Sequence, residues 1–177
     1  VPVHLHRHRI DQERHVVVDD LDHRVRRLPA VLLDRWIEHA YLRLRGLAEH
    51  PEAFTSSATE EAARPADALA KRLVADPSRP HDAVFGAFDG ATLVGLCGVD
   101  VDMREKVRHK GHVFGLYVPA EQAGRRLGGA LMDRVIGHAR AAGLRQLVLT
   151  VTADNAPARR VYERAGFGVC GREPQAV

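Results

Sequence analysis

A short loop between an apolar run and a helix carries residue types that bind phosphate. In residues 113–131, a run rich in β-formers leads to a loop with Gly124, Arg125 and Arg126, and Gly128 then opens an amphipathic helix. The first N–H groups of a helix lack intrahelical partners and lie at the positive end of its dipole, so they attract anions. Two arginines add charged donors. The pattern predicts a phosphate or pyrophosphate site; the alternative is an ordinary strand-to-helix connection with a basic rim.

The loop does not match the common nucleotide-binding motifs. The loop of nucleotide triphosphatases needs Lys and then Ser or Thr after its second glycine, whereas Gly128 and Gly129 are followed here by Ala130 and Leu131. A complete Gly-x-Gly-x-x-Gly is also missing after the apolar run. These motifs therefore do not identify the ligand.

A second segment follows at the C-terminal side of the same helix. Residues 147–152 read as a buried strand, Asn155 can cap a short helix, and Gly166 is a suitable stop for it. Apolar positions recur at helical spacing and include Tyr162. Taken alone, Tyr162 is more simply a packed helix residue whose hydroxyl reaches a backbone group.

The two segments together resemble the GCN5-related N-acetyltransferases, or GNAT superfamily. Residues 117–131 resemble the acetyl-coenzyme A segment, whose loop usually reads Arg/Gln-x-x-Gly-x-Gly/Ala, and residues 155–167 resemble a later motif of the family. Ala123 stands where the family prefers Arg or Gln, and Arg126 replaces the first glycine. We expect Arg126 to take an ordinary negative φ, so that the path of the loop differs locally from that of the family.

The resemblance implies that acetyl-coenzyme A (acetyl-CoA) is the co-substrate and that the chain is an acyl-CoA-dependent N-acyltransferase. It implies cofactor contacts at Leu116, Tyr117, Val118, Ala123, Gly124, Arg125, Arg126, Leu127, Gly128, Gly129, Asn155, Ala158 and Tyr162. It also implies direct attack of a primary amine on the thioester. The family's oxyanion donor is a backbone N–H in a bulged strand, which falls here near Leu116 and Tyr117, and Gly115 suits a bulge. The resemblance places Tyr162 as the acid that protonates the leaving thiolate.

Other parts of the mechanism stay open at this stage. His112, Asp100 and Glu52 are candidate bases, and for each of them a surface or structural role competes. The acceptor is a small-molecule or peptide amine of unknown identity. A non-catalytic CoA-binding or regulatory module is the alternative function. The arginines are dispersed and lack interleaved aromatic residues, so no nucleic-acid partner is predicted.

Length and composition fit one ordinary globular domain. The chain has 177 residues, 45% hydrophobic and 28% charged, with a formal net charge of +3. No apolar run approaches the roughly 18 residues that a membrane helix needs, so no membrane partner is predicted and a cytoplasmic location is expected. The two cysteines, Cys97 and Cys170, are interpreted as core residues. The oligomeric state is left open, with a homodimer as one option.

The predicted fold is α/β (α+β), namely a GNAT-like mixed, mainly antiparallel sheet with splayed central strands and flanking helices; the splay is implied by the resemblance alone. Residues 32–49 form a predicted helix, and residues 127–142 another. Asp89-Gly90 predicts a hairpin, and Ser57-x-x-Glu60 predicts a capping box. The apolar stripe of the first helix is expected to face the core through Leu33, Trp36, Ile37, Ala40, Tyr41, Leu44, Leu47 and Ala48.

The acceptor side and the chain ends give weaker signals. Trp36, Tyr41, Glu52 and Phe54 could touch an acceptor, although a core position is favoured for Trp36 and Tyr41. Residues 1–22 are predicted to be a poorly ordered extension; His4, His6 and His8 alternate there, but without Cys, Asp or Glu ligands no metal site is predicted. Residues 23–177 form the predicted domain. Its last strand is expected to be missing, or its edge to be covered by the N-terminal extension or a partner chain.

Overall fold

The computed structural model describes residues 2–8, 24–28, 33–65 and 76–174. The described residues contain seven strands and four α-helices. The strands are β1 (Pro2–His8), β2 (Val25–Arg27), β3 (Ala83–Asp89), β4 (Thr92–Val101), β5 (Lys110–Tyr117), β6 (Gln146–Thr152) and β7 (Gly168–Arg172). The helices are α1 (Leu33–Glu49), α2 (Ala58–Ala62), α3 (Leu127–Ala141) and α4 (Ala156–Arg164). Short 3₁₀ helices lie at Pro51–Ala53 and Ala120–Gln122.

All seven strands form one sheet in the order β2-β3-β4-β5-β6-β1-β7. The pair β5–β6 is parallel and the other described pairs are antiparallel, so the predicted mixed, mainly antiparallel sheet is confirmed. The predicted hairpin is also present, because β3 and β4 pair as far as Asp89 and Thr92, and Gly90 has φ +59°. Such a tight turn favours glycine at a positive φ.

The N-terminal strand lies inside the sheet. β1 pairs with β6 from Pro2↔Thr152 to His8↔Gln146, and on its other side it pairs with β7. Val3 and Leu5 are 1% exposed and belong to the main core cluster, while His4 contacts Thr150 and Glu173. The expectation of poor order is therefore wrong for Pro2–His8, because both backbone edges and the apolar face of this segment are buried. Residues 9–23 lie outside the described residues.

The position of β1 resolves the expectation about an uncovered edge. Strand β7 follows Gly166-Phe167 directly, and β1 enters between β6 and β7. The expectation that the last strand is missing is therefore wrong, because this strand is present as β7, and the N-terminal segment covers the edge of β6. Strands β1 and β7 thus complete the half of the sheet that lies beyond β6.

Helix α1 packs on the sheet with a different face from the predicted one. Ala40, Leu42 and Leu47 are buried, but Ile37 is half exposed and Tyr41 is 67% exposed, so the prediction of a core position for Tyr41 is wrong. The Trp36 side chain lies outside the described part of the chain. The contact between Gly46 and Tyr117 explains why α1 is rotated about its axis relative to the prediction, since a β-carbon on Gly46 would lie 2.9 Å from the Tyr117 ring. The helix therefore turns its smallest residue toward β5.

Other local predictions agree with the structure. Ser57 and Glu60 form the predicted capping box at the start of α2. Helix α3 buries its predicted face against the sheet through Leu127, Leu131, Val135, Ile136 and Ala139. Cys97 is buried as predicted, but Cys170 is exposed, because β7 has only one neighbouring strand and its outer side is open.

Candidate active site

The central strands β5 and β6 separate after a short parallel pairing. Their described pairing runs from Lys110↔Gln146 to His112↔Val148. Beyond this point β5 stays with β4 as far as Leu96↔Tyr117, and β6 stays with β1 as far as Pro2↔Thr152. The two halves of the sheet therefore open a cleft between residues 113–117 and 149–152. The splay implied by the resemblance is present.

A bulge occurs in β5 along the edge of this cleft. Gly98 is opposite Phe114, but Leu96 is opposite Tyr117, so β5 contains one more residue than β4 over this interval. Gly115 has φ +65°, a conformation that favours glycine, as expected for the bulged position. Leu116 follows it and is only partly buried. A bulge interrupts the regular ladder of backbone hydrogen bonds, so the structure has the bulge that the resemblance implies next to Leu116.

The loop after β5 corrects the expectation for Arg126. Gly124 has φ +80°, and Arg126 has φ +57°, which is left-handed rather than negative. The residue that replaces the family's glycine therefore has a backbone conformation that favours glycine, which is strained for an arginine. Arg125 forms an ion pair with Asp89 (2.8 Å), while Arg126 is exposed beside the start of α3.

The effect of the strained backbone at Arg126 on stability can be measured separately from the effect of its positive charge on binding. We expect Arg126→Gly to be more stable to unfolding than Arg126→Ala by about 1 kcal/mol, because alanine keeps the β-carbon that makes a left-handed φ unfavourable. Both substitutions remove one cation, so both should weaken acetyl-CoA binding equally, by about tenfold or less. Urea unfolding and calorimetry measure the two effects. Equal stability of the two variants would contradict the left-handed conformation.

Helix α4 brings Tyr162 to the same region. Asn155 caps this helix by accepting a hydrogen bond from the Ala158 N–H (3.1 Å), as the sequence predicts. Tyr162 is 7% exposed, and burial is the main cause that raises its pKa, with a smaller electrostatic contribution from Cys97. Cys97 lies on β4 opposite the bulge, between Leu96 and Gly98. Tyr162 and Cys97 belong to the same core cluster, so the Tyr162 side chain lies in an apolar environment that favours its protonated form.

The start of α3 and helix α4 are also neighbours. A β-carbon on Gly128 would lie 3.5 Å from the Val161 side chain. Of the other predicted cofactor contacts, Val118 packs against the core, Gly129 has open space around its α-carbon, and Leu127 is buried, so only its backbone faces the loop. Ala123 ends the 3₁₀ helix that enters the loop. The start of α3 therefore lies beside α4, and the cofactor contacts implied by the resemblance stay a prediction.

The Tyr117 side chain has a role that the sequence did not reveal. Its hydroxyl donates a hydrogen bond to Glu49 of α1 (2.6 Å), and burial followed by this bond raises its pKa. The Tyr117 and Arg45 hydrogen bonds, in that order, lower the pKa of the Glu49 carboxyl. Arg45 also donates two hydrogen bonds to Glu121, just before the loop (2.5 and 2.9 Å). Hence the Tyr117 side chain joins β5 to α1, and Arg45 joins α1 to the segment before the loop.

A cavity of about 520 Å³ lies where the two strands begin to separate. His112 and Asp100 line it, with 3.7 Å between His112 Nδ1 and Asp100 Oδ1. Arg79, Lys110 and Val148 complete this part of its wall. Two of the three candidate bases thus share one cavity, which lies beside the paired residues at the start of β5.

Glu52, the third candidate base, lies elsewhere. It belongs to the 3₁₀ helix that follows α1, and its side chain is 64% exposed and contacts His50 at 3.8 Å. Its carbonyl oxygen accepts a hydrogen bond from the Thr152 hydroxyl (2.8 Å), at the outer end of β6. The segment after α1 therefore reaches across the open end of the cleft, and Glu52 contributes its backbone there.

The helices of the described residues do not include one that is both long enough and apolar enough to cross a membrane.

Comparisons with known proteins identify the architecture. The Acetyltransferase (GNAT) family model matches residues 34–167. Among solved structures, the PaiA N-acetyltransferase of Thermoplasma acidophilum in complex with coenzyme A has a TM-score of 0.68 at 17% identity, covering 85% of this chain and 92% of that one. A GNAT acetyltransferase of Streptococcus pneumoniae has a TM-score of 0.63 at 24% identity, covering 83% of this chain and 84% of that one. These likenesses show the fold.

Curated relatives are similar in sequence. A mycothiol acetyltransferase of Geodermatophilus obscurus is 35% identical over 134 residues, which cover 73% of this chain and 41% of the relative. The chain therefore spans less than half the length of this relative. The L-amino acid N-acetyltransferase AaaT of Escherichia coli is 30% identical over 140 residues, covering 76% of this chain and 83% of that protein. With the family model, the splayed strands and the loop before α3, the chain belongs to the GNAT family of acetyl-CoA-dependent N-acetyltransferases.

Proposed function

We propose that this chain transfers the acetyl group of acetyl-CoA directly to a primary amine of a small-molecule or peptide acceptor. The observation that carries the proposal is the convergence of three features on one cleft. These are the bulge at Gly115 and Leu116, the anion-binding loop before α3, and the buried hydroxyl of Tyr162. The names of the relatives, which include an L-amino acid N-acetyltransferase, favour a small-molecule acceptor.

The loop holds the cofactor in this proposal. The N–H groups between Gly124 and Gly129 face the pyrophosphate, and Arg126 adds a nearby positive charge. The Arg126 side chain makes no capping hydrogen bond to α3, so it does not compete for the first N–H groups of that helix. The pantetheine arm then lies in the cleft between β5 and β6, and the thioester reaches the bulge.

The chemistry proceeds by addition and elimination. The neutral amine nitrogen attacks the thioester carbonyl, the C–O double bond opens, and the Leu116 N–H stabilises the resulting oxyanion. Collapse of this intermediate re-forms the carbonyl and breaks the C–S bond. Tyr162 gives its proton to the leaving sulfur and regains one from solvent, while the product nitrogen loses its extra proton to a base. The raised pKa of Tyr162 keeps it protonated until the thiolate forms.

His112 is the base that the geometry favours. It lies on β5 four residues before Leu116, in the cavity beside the last paired residues of β5 and β6, and its Nδ1 is 3.7 Å from Asp100 Oδ1. Glu52 fits less well, because its side chain points into solvent at the other end of the cleft. The acceptor ammonium therefore loses its proton to His112 through water, because four strand residues, about 13 Å, separate His112 from Leu116.

The first experiment combines binding with turnover. We expect micromolar binding of acetyl-CoA by calorimetry, and acetylation of members of an amine panel detected by mass spectrometry. His112→Gln should lower kcat/KM by about 100-fold, because it removes the base, while the Kd for acetyl-CoA stays unchanged. His109→Gln, a substitution of the same kind just before β5 and outside the cavity lining, should behave like wild type.

The results of this experiment distinguish an acetyltransferase from a non-catalytic CoA-binding module. Binding of acetyl-CoA without acetylation of any amine would support a non-catalytic CoA-binding module instead. The absence of binding by folded protein would contradict both functions. Full activity of His112→Gln would leave the transferase in place and assign the base elsewhere.

A further inference from the structure

Helix α1 carries a guanidinium group to the bulge of β5. A β-carbon on Gly115 would lie 3.8 Å from Nη1 of Arg43. One turn further along α1, Gly46 contacts the Tyr117 ring, and His50 lies with its ring centroid 6.3 Å from that ring. Residues three and four apart share one helix face, so this face of α1 follows β5 from the bulge to its end. Arg43 is the cationic member of the row.

An aromatic ring supports the Arg43 side chain. Its guanidinium carbon is 4.8 Å from the centroid of the Phe54 ring, and its Nε atom is buried. Phe54 itself packs against the second core cluster, which includes Leu42 and Tyr117. A planar guanidinium placed over a ring is restricted in its orientation. The positive charge is therefore fixed in place instead of moving freely in solvent.

The position of the Arg43 guanidinium indicates which of the two reactants it can bind. Gly115 is adjacent to Leu116, whose N–H receives the thioester oxygen in the proposed function. The pyrophosphate belongs to the loop of residues 124–129, beyond the end of β5. The acetyl group and the pantetheine arm are uncharged. A cation at the bulge on the side covered by α1 therefore faces the acceptor.

We propose that Arg43 binds the carboxylate of the acceptor, and that the acceptor is a small α-amino acid. This inference rests on the proposed function. The anion must lie within a few bonds of the reacting nitrogen, because the Arg43 guanidinium lies beside Gly115, the neighbour of the oxyanion donor. An α-amino acid places one carbon between its amine and its carboxylate. A guanidinium binds such a carboxylate through two parallel hydrogen bonds.

The charges at the two ends of the site suit a zwitterion. Arg43 is at the bulge, and the His112–Asp100 pair is in the cavity three residues earlier along β5. The carboxylate of the acceptor then meets a cation, and its ammonium proton passes through water toward the His112–Asp100 pair, about 10 Å along the strand. A peptide N-terminus has a neutral amide in place of the carboxylate, and a polyamine would bring a second cation toward Arg43. Both are disfavoured.

The test compares each L-amino acid with its own amide as acceptor, using free thiol release from acetyl-CoA and mass spectrometry of the product. In wild type we expect kcat/KM to be about 10- to 100-fold higher for the amino acid, the range for a hydrogen-bonded charge pair. In Arg43→Met we expect the preference to fall to about threefold or less, through a higher KM for the amino acid, with the amide used as before. Arg43→Lys should restore part of the preference.

Arg26→Met is the matched control, because Arg26 also lies over a ring, that of Phe88 at 4.1 Å, but belongs to β2. It should keep the wild-type preference. Three results would overturn the inference while leaving the transferase intact: equal use of amino acids and amides by wild type, acetylation of neither by protein that acetylates another amine, or an equal loss of kcat for both in Arg43→Met. The last result would instead assign Arg43 to the oxyanion. Failure of acetyl-CoA binding would reject the proposed function itself.

Discussion

Tyr162→Phe is expected to lower kcat by about 100- to 1000-fold and to leave the Kd for acetyl-CoA unchanged, because it removes a general acid and no ground-state contact. The phenylalanine ring keeps the packing against Phe167, whose ring centroid is 6.1 Å from that of Tyr162. The thiolate must then leave without a proton, in a cleft where burial already disfavours charge. Burial raises the pKa of Tyr162, so the native side chain is a protonated donor throughout the neutral range.

Single-turnover kinetics and calorimetry on the same samples test this expectation. Tyr41→Phe is the control, since it deletes the same hydroxyl from an exposed position on α1 and should be fully active. A kcat within about threefold of wild type would show that Tyr162 is not the acid and that water protonates the sulfur. Parallel losses of binding and turnover would indicate a structural role instead.

The parts of this site that lie close together in the sequence were predicted from it. Asn155 as a helix cap and Gly115 at a bulge each depend on local backbone requirements, which the residue types report directly. The order of loop, helix, strand and helix identified the family, and the splay of β5 and β6 followed from that resemblance. The comparisons do not test the individual site residues, so their assignments stay proposals.

The features that sequence reasoning missed depend on contacts between distant residues. Glu49 and Tyr117 are separated by 68 positions, and no local pattern indicates their hydrogen bond. The apolar residues of α1 cover too much of the helix to fix its rotation, which the contact between Gly46 and Tyr117 reveals only in three dimensions. Pro2–His8 alternates apolar and polar residues like a strand, but its place between β6 and β7 depends on two long-range pairings.

Arg126 shows a different limit. The rule that a residue with a β-carbon avoids positive φ predicted the wrong conformation, although the rule itself is sound. A left-handed arginine costs about 1–2 kcal/mol, and the rest of the loop outweighs that cost. Gly124 before it and the start of α3 after it define where the chain must pass. At Arg126 the geometry of the whole loop therefore outweighs the local preference for a negative φ.

Gly128→Glu is expected to raise the Kd for acetyl-CoA by about 100-fold or more, because it places a carboxylate among the N–H groups that face the pyrophosphate. The substitution should not unfold the protein. A β-carbon at this position would be in ordinary contact with Val161 at 3.5 Å, and a negative charge in the first turn of a helix is favourable for the helix itself. The loss therefore reports repulsion of the ligand, and calorimetry with acetyl-CoA measures it.

Gly137→Glu is the matched control for this loss. Gly137 lies on the same helix with open space around its α-carbon, so the substitution adds the same charge and side chain away from the loop. It should bind acetyl-CoA with a Kd within about threefold of wild type, because a surface charge more than a Debye length away is largely screened at physiological salt. If Gly128→Glu binds as tightly as Gly137→Glu, the pyrophosphate does not lie at the start of α3, and the cofactor must enter the cleft in another orientation.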